Sequence, residues 1–129
     1  MMTITIVDES TLGENRAWSL ELLDETVSLR ELIQRRIYQE VTEYNARQSK
    51  YFHGLVQPTD AERTLNGYRL KTVHQLDWQA QYEKALEAFV HRGYFLLVND
   101  KQVTDLDTSI ELHARTKVTF LKLIPLVGG

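Results

Sequence analysis

The sequence contains no cysteine among its 129 residues. The chain therefore cannot form a disulfide, a thiolate metal site, a cysteine nucleophile or a thioester on its own side chains. No apolar stretch approaches the roughly 20 residues that a membrane-spanning helix needs, and the first residues lack the pattern of a secretory signal. These absences predict a cytoplasmic protein with no membrane partner.

An excess of charge of one sign is also missing. The formal net charge is −3 and the sequence pI is about 5.8, so the broad basic surface of a nucleic-acid-binding protein is not expected. Hydrophobic residues make up 43% and charged residues 26%, which is typical of folded globular proteins. The length predicts a single domain, residues 1–129, that can bury a core without covalent staples.

The first third predicts a β-hairpin followed by a helix. Residues 2–7 and 16–22 alternate apolar with polar or small side chains on either side of a polar turn that contains Gly13. Ser28 and Glu31 then have the spacing of a capping box, with Thr26 as a competing N-cap. The helix carries an apolar stripe: Leu29, Leu32, Ile33, Ile37, Val41 and Tyr44. Charged residues off that stripe are expected in solvent: Arg30, Arg35, Glu40 and Glu43.

The middle of the chain, residues 49 to about 92, predicts a small hairpin and a second helix. Asn66-Gly67 is a strong hairpin-turn signal. Asp77 is placed to cap a helix whose apolar positions are Trp78, Tyr82, Ala85, Leu86, Phe89 and Val90, and Gly93 suits its end. Because the minimal fold does not need this segment, we expect it to act as a specificity element.

The last third returns to strands. Residues 94–99 and 118–124 are predicted strands, with a short strand near 102–103 and a tail at 125–129. The order strand, strand, helix, strand, short strand, strand predicts an α+β fold of the β-grasp type: a mixed sheet with one long helix across it. The expected core collects Ile4, Ile6, Trp18, Leu20, Leu22, Leu29, Ile33, Ile37, Leu97, Val118 and Phe120.

Two segments resemble a known family. Residues 96–103 (LLVNDKQV) are similar to the apolar-Val-Asn-turn-Val stretch of the prokaryotic thiamine and molybdopterin sulfur carriers, and the Lys101-Gln102 pair is similar to the corresponding turn of ubiquitin. Val118-Thr119-Phe120 with the ending Pro125-Leu126-Val127-Gly128-Gly129 resembles the carriers' closing Val-x-Phe and Gly-Gly motif. The resemblance covers about two thirds of the chain, and residues 49–92 are an insertion longer than most family members carry.

The resemblance implies a chemical role for the tail. Gly129 would be activated as an acyl-adenylate by a partner enzyme that uses ATP, and Gly128 would let the backbone enter that enzyme's narrow tunnel. Pro125, Leu126 and Val127 would serve as docking residues. In this reading the chain is not an enzyme and binds no cofactor itself.

Beyond the adenylate the family divides into branches. A bacterial ubiquitin-like modifier would pass through a conjugating enzyme to lysines of target proteins, and a deconjugating protease would reverse the attachment. A sulfur carrier would instead gain a terminal thiocarboxylate. The insertion favours the modifier, whereas the strand and tail motifs lean toward the carriers. A third reading is a β-grasp interaction module that is not conjugated.

A partner patch is expected on the outer face of the sheet. Leu96, Leu121 and Leu123 alternate with the presumed inward positions and would form it, unless the insertion covers that face. No metal site is expected, since the histidines lack metal-ligand spacing: His53, His74, His91 and His113. No phosphate-binding loop, nucleophile elbow or paired-carboxylate motif is present.

Overall fold

The computed structural model describes residues 1–64 and 67–124. The chain divides into two compact units. The sheet unit comprises Met1–Leu32 together with Ala88–Gly129, and the middle unit comprises Ile33–Glu87. The predicted insertion at 49–92 overlaps the middle unit, which begins earlier, within the first helix, and ends within the second.

The protein is α+β, with two helices in the described residues. In chain order the elements are β1 (Met2–Ser10), β2 (Asn15–Leu22), β3 (Thr26–Ser28), α1 (Leu29–Arg47), β4 (Tyr51–Phe52), β5 (Ala61–Thr64), β6 (Gly67–Leu70), α2 (Trp78–Val90), β7 (Tyr94–Val98), β8 (Lys101–Val103), β9 (Ser109–Glu111) and β10 (Lys117–Lys122).

The sheet unit contains a mixed five-stranded sheet in the order β2-β1-β10-β7-β8. The first and last strands lie parallel, with Ile6 beside Val118, while the other neighbours are antiparallel. This confirms the predicted mixed sheet and its parallel pairing of the two ends of the chain. A separate short pair joins β3 to β9.

One face of this sheet is buried. Apolar residues recur at every second position of the strands, so their side chains fall on the same face. The following side chains on that face are enclosed: Ile4, Ile6, Leu20, Leu22, Leu96, Val118 and Phe120. Two predicted core residues differ, since Trp18 and Leu97 are only half-buried. Leu96 takes the core position on β7 because it pairs with Phe120 on β10. Trp18 keeps part of its ring in solvent and donates its indole N–H to a carboxylate oxygen of Asp8 at 2.9 Å.

Helix α1 begins as the capping box predicts. The backbone N–H of Glu31 donates to the Ser28 hydroxyl at 3.1 Å, and that hydroxyl donates to the Glu31 carboxylate at 3.2 Å. All six residues of the predicted apolar stripe are buried. Glu40 corrects the expectation of a solvated polar face, because it is buried together with Arg36, which is 0% exposed.

The middle unit carries the predicted hairpin and second helix. Strands β5 and β6 pair antiparallel, and Gly67, expected in the turn, instead pairs with Thr64 inside the ladder. Residues 65 and 66 lie outside the described part of the chain. A two-residue strand that the sequence did not predict, β4, completes a three-stranded sheet in the order β4-β6-β5. Asp77 caps α2 as expected, accepting the N–H of Gln79 at 3.1 Å.

The residue that ends α2 in the left-handed conformation is one position before the glycine expected there. The N–H of Gly93 donates to the carbonyl of Ala88 at 2.7 Å, and the N–H of Arg92 donates to that of Phe89 at 3.1 Å. This is a Schellman motif, whose left-handed residue is Arg92 with φ of 59°. Gly93 follows the left-handed position rather than occupying it.

Candidate modification site and partner surface

The predicted chemistry lies at the end of the chain. Pro125, Leu126, Val127, Gly128 and Gly129 fall outside the described residues. The role of Gly129 as the activated residue, with Gly128 beside it, therefore stays a prediction. What the structure describes is the platform that precedes the tail, up to Ile124.

Ile124 is held by Thr11, a residue of the turn between β1 and β2. The Thr11 hydroxyl accepts the N–H of Ile124 at 2.9 Å and donates to its carbonyl at 3.1 Å. The N–H of Thr11 also donates to the carbonyl of Lys122 at 3.1 Å. A single side chain thus continues the ladder past the end of β10 and holds Ile124, the last residue described before the tail. Nothing in the sequence signals this role, since Thr11 lies in an ordinary polar turn.

A second contact fixes the same point from the other side. The N–H of Leu123 donates to the carbonyl of Gly93 at 3.1 Å, so the chain after β10 stays paired with the start of β7. Leu123 itself is 37% exposed. Leu123 and Ile124, which follow β10, are therefore held next to the start of β7 and the end of β1, the two neighbours of β10.

The face of the sheet opposite the core carries a partly exposed apolar surface. The register places Val7, Thr119 and Leu97 in one row across β1, β10 and β7, and Glu9, Leu121 and Phe95 in the next. We define the open-face patch as Val7, Phe95, Leu97 and Leu121, each of which is half-buried. Thr119, between Val7 and Leu97, is buried.

The open-face patch corrects the predicted one in composition. Leu121 belongs to it and Leu123 is exposed just beyond the strand, but Leu96 is 0% exposed and lies on the core face. Phe95 and Leu97 take the place that Leu96 was expected to fill. The cause is the phase of β7, which is set by its pairing with β10 rather than by its own sequence.

Charged groups flank the two ends of the patch. The ammonium of Lys117, at the start of β10, forms an ion pair with Asp100 at 3.2 Å. The backbone N–H of Lys117 donates to the side-chain oxygen of Asn99 at 2.9 Å. Glu9, which lies beside Leu121, is the charged residue at the other end of the patch. This arrangement, an apolar centre with a polar rim, is the general form of a protein-binding surface.

Within 1–64 and 67–124, no group of three or more histidine, aspartate or glutamate side chains is placed to hold a metal ion. Across those residues no helix is long and apolar enough to cross a membrane. Comparison of the chain with known protein families, curated proteins and solved structures finds no match.

Proposed function

We propose that this chain is a ubiquitin-like protein modifier with a β-grasp fold, whose Gly129 carboxylate is adenylated by a partner enzyme and then transferred to target lysines. The observation that carries the proposal is the mixed sheet with β1 and β10 parallel at its centre, where β10 runs directly into the Gly-Gly tail. The proposal requires that the mature chain end at Gly129, either as translated or after cleavage.

The first step needs no catalytic group on this chain. A carboxylate oxygen of Gly129 attacks the α-phosphorus of ATP, and the bond to the β-phosphate breaks. Pyrophosphate departs, and the acyl-adenylate of Gly129 is formed. Glycine suits that position because it puts no β-carbon beside the reacting carbonyl. Since the chain has no cysteine, any thioester formed afterwards must use a partner's sulfur.

The platform supplies recognition and direction. Docking on the open-face patch would bury apolar surface on β1, β7 and β10, while Thr11 and Gly93 fix the point from which the tail extends. Because the residues before the tail are held in place, less conformational entropy is lost when the tail enters an active site. A partner that reads the patch would thereby present Gly129 to its nucleotide.

The branch of the family is decided by the covalent state of the chain in its native host. Intact-mass spectrometry of recovered protein, with peptide mapping of its adducts, distinguishes the outcomes. Attachment of Gly129 to lysines of other proteins supports the modifier. Exchange of one terminal oxygen for sulfur identifies a sulfur carrier, and an unmodified chain under all growth conditions favours the interaction module.

Shortening the tail tests the activated residue. Deleting Gly129 removes up to about 3.6 Å of reach, and Gly129→Ala keeps the reach but adds a methyl group. Both variants should lose ATP–pyrophosphate exchange with the activating enzyme of the native host, while their melting temperatures stay unchanged. Lys71→Ala, an exposed change in the middle unit, is the matched control and should exchange normally. Wild-type exchange by the shortened chain would refute the proposal.

Charging the open-face patch tests recognition separately. Leu121→Glu should raise the KM for this chain in the exchange assay about tenfold, equivalent to about 1.4 kcal/mol of binding, with kcat less affected. Thr5→Glu introduces the same charge on the same face two rows away, next to Lys117, and should leave KM near the wild-type value. Equal increases in KM for the two variants would show that the activating enzyme does not recognise the open-face patch.

A further inference from the structure

The sheet unit contains a cleft at the β8 edge of its sheet. Its volume is about 790 Å³, and it is formed by β7, β8, residues 104–107, Arg30 and the end of α2. A cleft of this size is within the range of about 300–1,000 Å³ that binding pockets occupy. Only Phe95 belongs both to its lining and to the open-face patch.

The walls of the cleft are largely apolar. Phe89 and Val90, on the last turn of α2, face the site together with Val103 and Leu106. Val90 is 65% exposed, which makes it the most exposed apolar side chain of this lining. The cleft therefore presents apolar surface that a ligand would remove from water.

Three of the four charged residues that line the cleft have partners. Asp107 accepts a hydrogen bond from the Arg30 guanidinium at 3.5 Å, and Asp105 accepts the backbone N–H of Asp107 at 2.9 Å. Arg92, the fourth, is exposed and makes no side-chain hydrogen bond or ion pair with the described residues. Arg92 is therefore the cation of the cleft that a ligand carboxylate can meet without displacing a partner among the described residues.

The backbone conformation at Arg92 makes this side chain suitable for a test by substitution. Its φ of 59° is left-handed, at the C′ position of the Schellman motif, where glycine is the favoured residue. A non-glycine residue there costs about 1 kcal/mol or more. Replacing Arg92 with glycine therefore removes the side chain without adding backbone strain.

The cleft also runs along an unpaired strand. β8 is the last strand of the sheet, bonded to β7 on one side, and within the described residues no strand pairs with its other side. The backbone N–H and C=O groups of that free side can pair with an extended peptide, which is a common mode of peptide recognition. Gln102 and Val103, on β8, line the cleft.

We propose that this cleft binds an extended peptide segment of a partner protein. The peptide pairs with β8, sets an apolar side chain against Phe89 and Val90, and places a carboxylate against Arg92. A segment that alternates apolar and acidic residues satisfies all three features. The inference stands on the cleft alone and does not depend on activation of Gly129.

The test uses the full chain, labelled with ¹⁵N, and a set of acetylated hexapeptides. Each has a central phenylalanine flanked by valine or isoleucine, with glutamate at the remaining positions; a matched set carries lysine instead. The glutamate peptides should shift the amide signals of residues 101–107 in a saturable way, and the lysine peptides should bind more weakly. Absence of shifts with every glutamate peptide at millimolar concentration, or equal binding of both sets, overturns the proposal.

Variants of Arg92 separate binding from folding. Arg92→Gly places the favoured residue at C′, so the melting temperature should stay the same or rise, while affinity for the glutamate peptides should fall about fivefold. Arg92→Lys should retain most of the affinity, and Arg115→Gly, an exposed arginine outside the cleft, serves as the control. Wild-type affinity in Arg92→Gly would overturn the role of the side chain.

A small probe distinguishes a peptide from a small-molecule ligand. N-acetylphenylalanine carries the apolar ring and the carboxylate but cannot pair along a strand. It should bind far more weakly than the hexapeptides and should leave the β8 amide signals nearly unshifted. Binding as tight as that of the hexapeptides would overturn strand pairing and identify a small-molecule pocket.

Discussion

The interiors of the two compact units are built differently. The sheet unit encloses aliphatic and aromatic side chains along β1, β2, β7 and β10, and its buried carboxylate, Asp8, is bonded to Trp18 at 2.9 Å and lies 3.8 Å from the half-exposed Arg16. The middle unit instead encloses a complete ion pair. Arg36 and Glu40, one turn apart on α1, have side-chain exposures of 0% and 6%.

The carboxylate of Glu40 has a structural task in the middle unit. One oxygen accepts from the Nε and Nη2 groups of Arg36, each at 3.3 Å, and the other accepts the backbone N–H of Leu55 at 3.2 Å. Gln81, also buried, donates to the carbonyl of Val56 at 3.2 Å. The segment around residues 55–56 is therefore held by side chains of two helices rather than by a strand ladder.

The two interiors therefore differ in which substitutions destabilise them most. A core of apolar side chains tolerates apolar substitutions that nearly conserve volume, usually at a cost below about 1.5 kcal/mol. A buried charge pair concentrates its stabilisation in a few bonds, and removing one partner leaves the other charged and desolvated. Removing one partner of the pair should therefore cost more than shortening a core aliphatic side chain by one methylene group.

Arg36→Met should produce the largest loss of stability. It leaves Glu40 buried without its cation, which we expect to lower the free energy of unfolding by about 3–5 kcal/mol. Urea denaturation followed by circular dichroism measures the change. Arg69→Met is the matched control, because the Arg69–Glu62 pair in the same unit is exposed and should cost no more than about 1 kcal/mol. Equal losses in the two variants would remove the contrast between buried and exposed pairs.

Ile6→Val should have a smaller effect in the sheet unit. Ile6 is 0% exposed, and removing one methylene group from such a site costs about 0.5–1.5 kcal/mol. The same urea measurement applies, and Thr3→Ser, an exposed change on the same strand, provides the baseline. A loss as large as that of Arg36→Met would mean that the sheet core is no more tolerant than the ion pair.

Tyr44 should give the smallest effect, visible only in alkaline solution. Its hydroxyl donates to the carbonyl of Ser49 at 2.6 Å, and burial raises its pKa above the ordinary value of 10.0. Above about pH 10 the unfolded chain therefore loses this proton before the folded chain does, so the free energy of unfolding falls as pH rises. Urea midpoints between pH 9 and 11 should fall more steeply for the wild type than for Tyr44→Phe; parallel curves would contradict the assignment.

Local signals account for the elements that the sequence predicted well. The Ser28–Glu31 capping box, the stripe along α1 and the Asp77 cap each involve residues a few positions apart, so their physics is complete within one segment. The hairpin of β1 and β2 follows from alternation alone. The parallel pairing of β1 with β10 followed from element order and the need for a crossover.

The errors share a different cause: each depends on a distant partner. The run from Tyr94 to Val98 is apolar on both faces, so nothing within it decides between Leu96 and Leu97; pairing with Phe120 does. Glu40 can be buried because its carboxylate accepts the backbone N–H of Leu55, 15 residues away. The anchoring of Ile124 by Thr11 joins opposite ends of the chain, and the tail at 125–129, where the predicted chemistry lies, is outside the described residues.

The parallel contact between β1 and β10 also constrains how the protein is made. Ile6 leaves the ribosome long before its neighbour Val118, so the centre of the sheet cannot close until β10 has been synthesised. Until then β1 and β2 form at most a hairpin with an open apolar edge. A nascent chain interrupted before β10 has neither the central strand nor the Gly-Gly segment that follows it. Completion of the fold and arrival of the tail are thereby coupled in time.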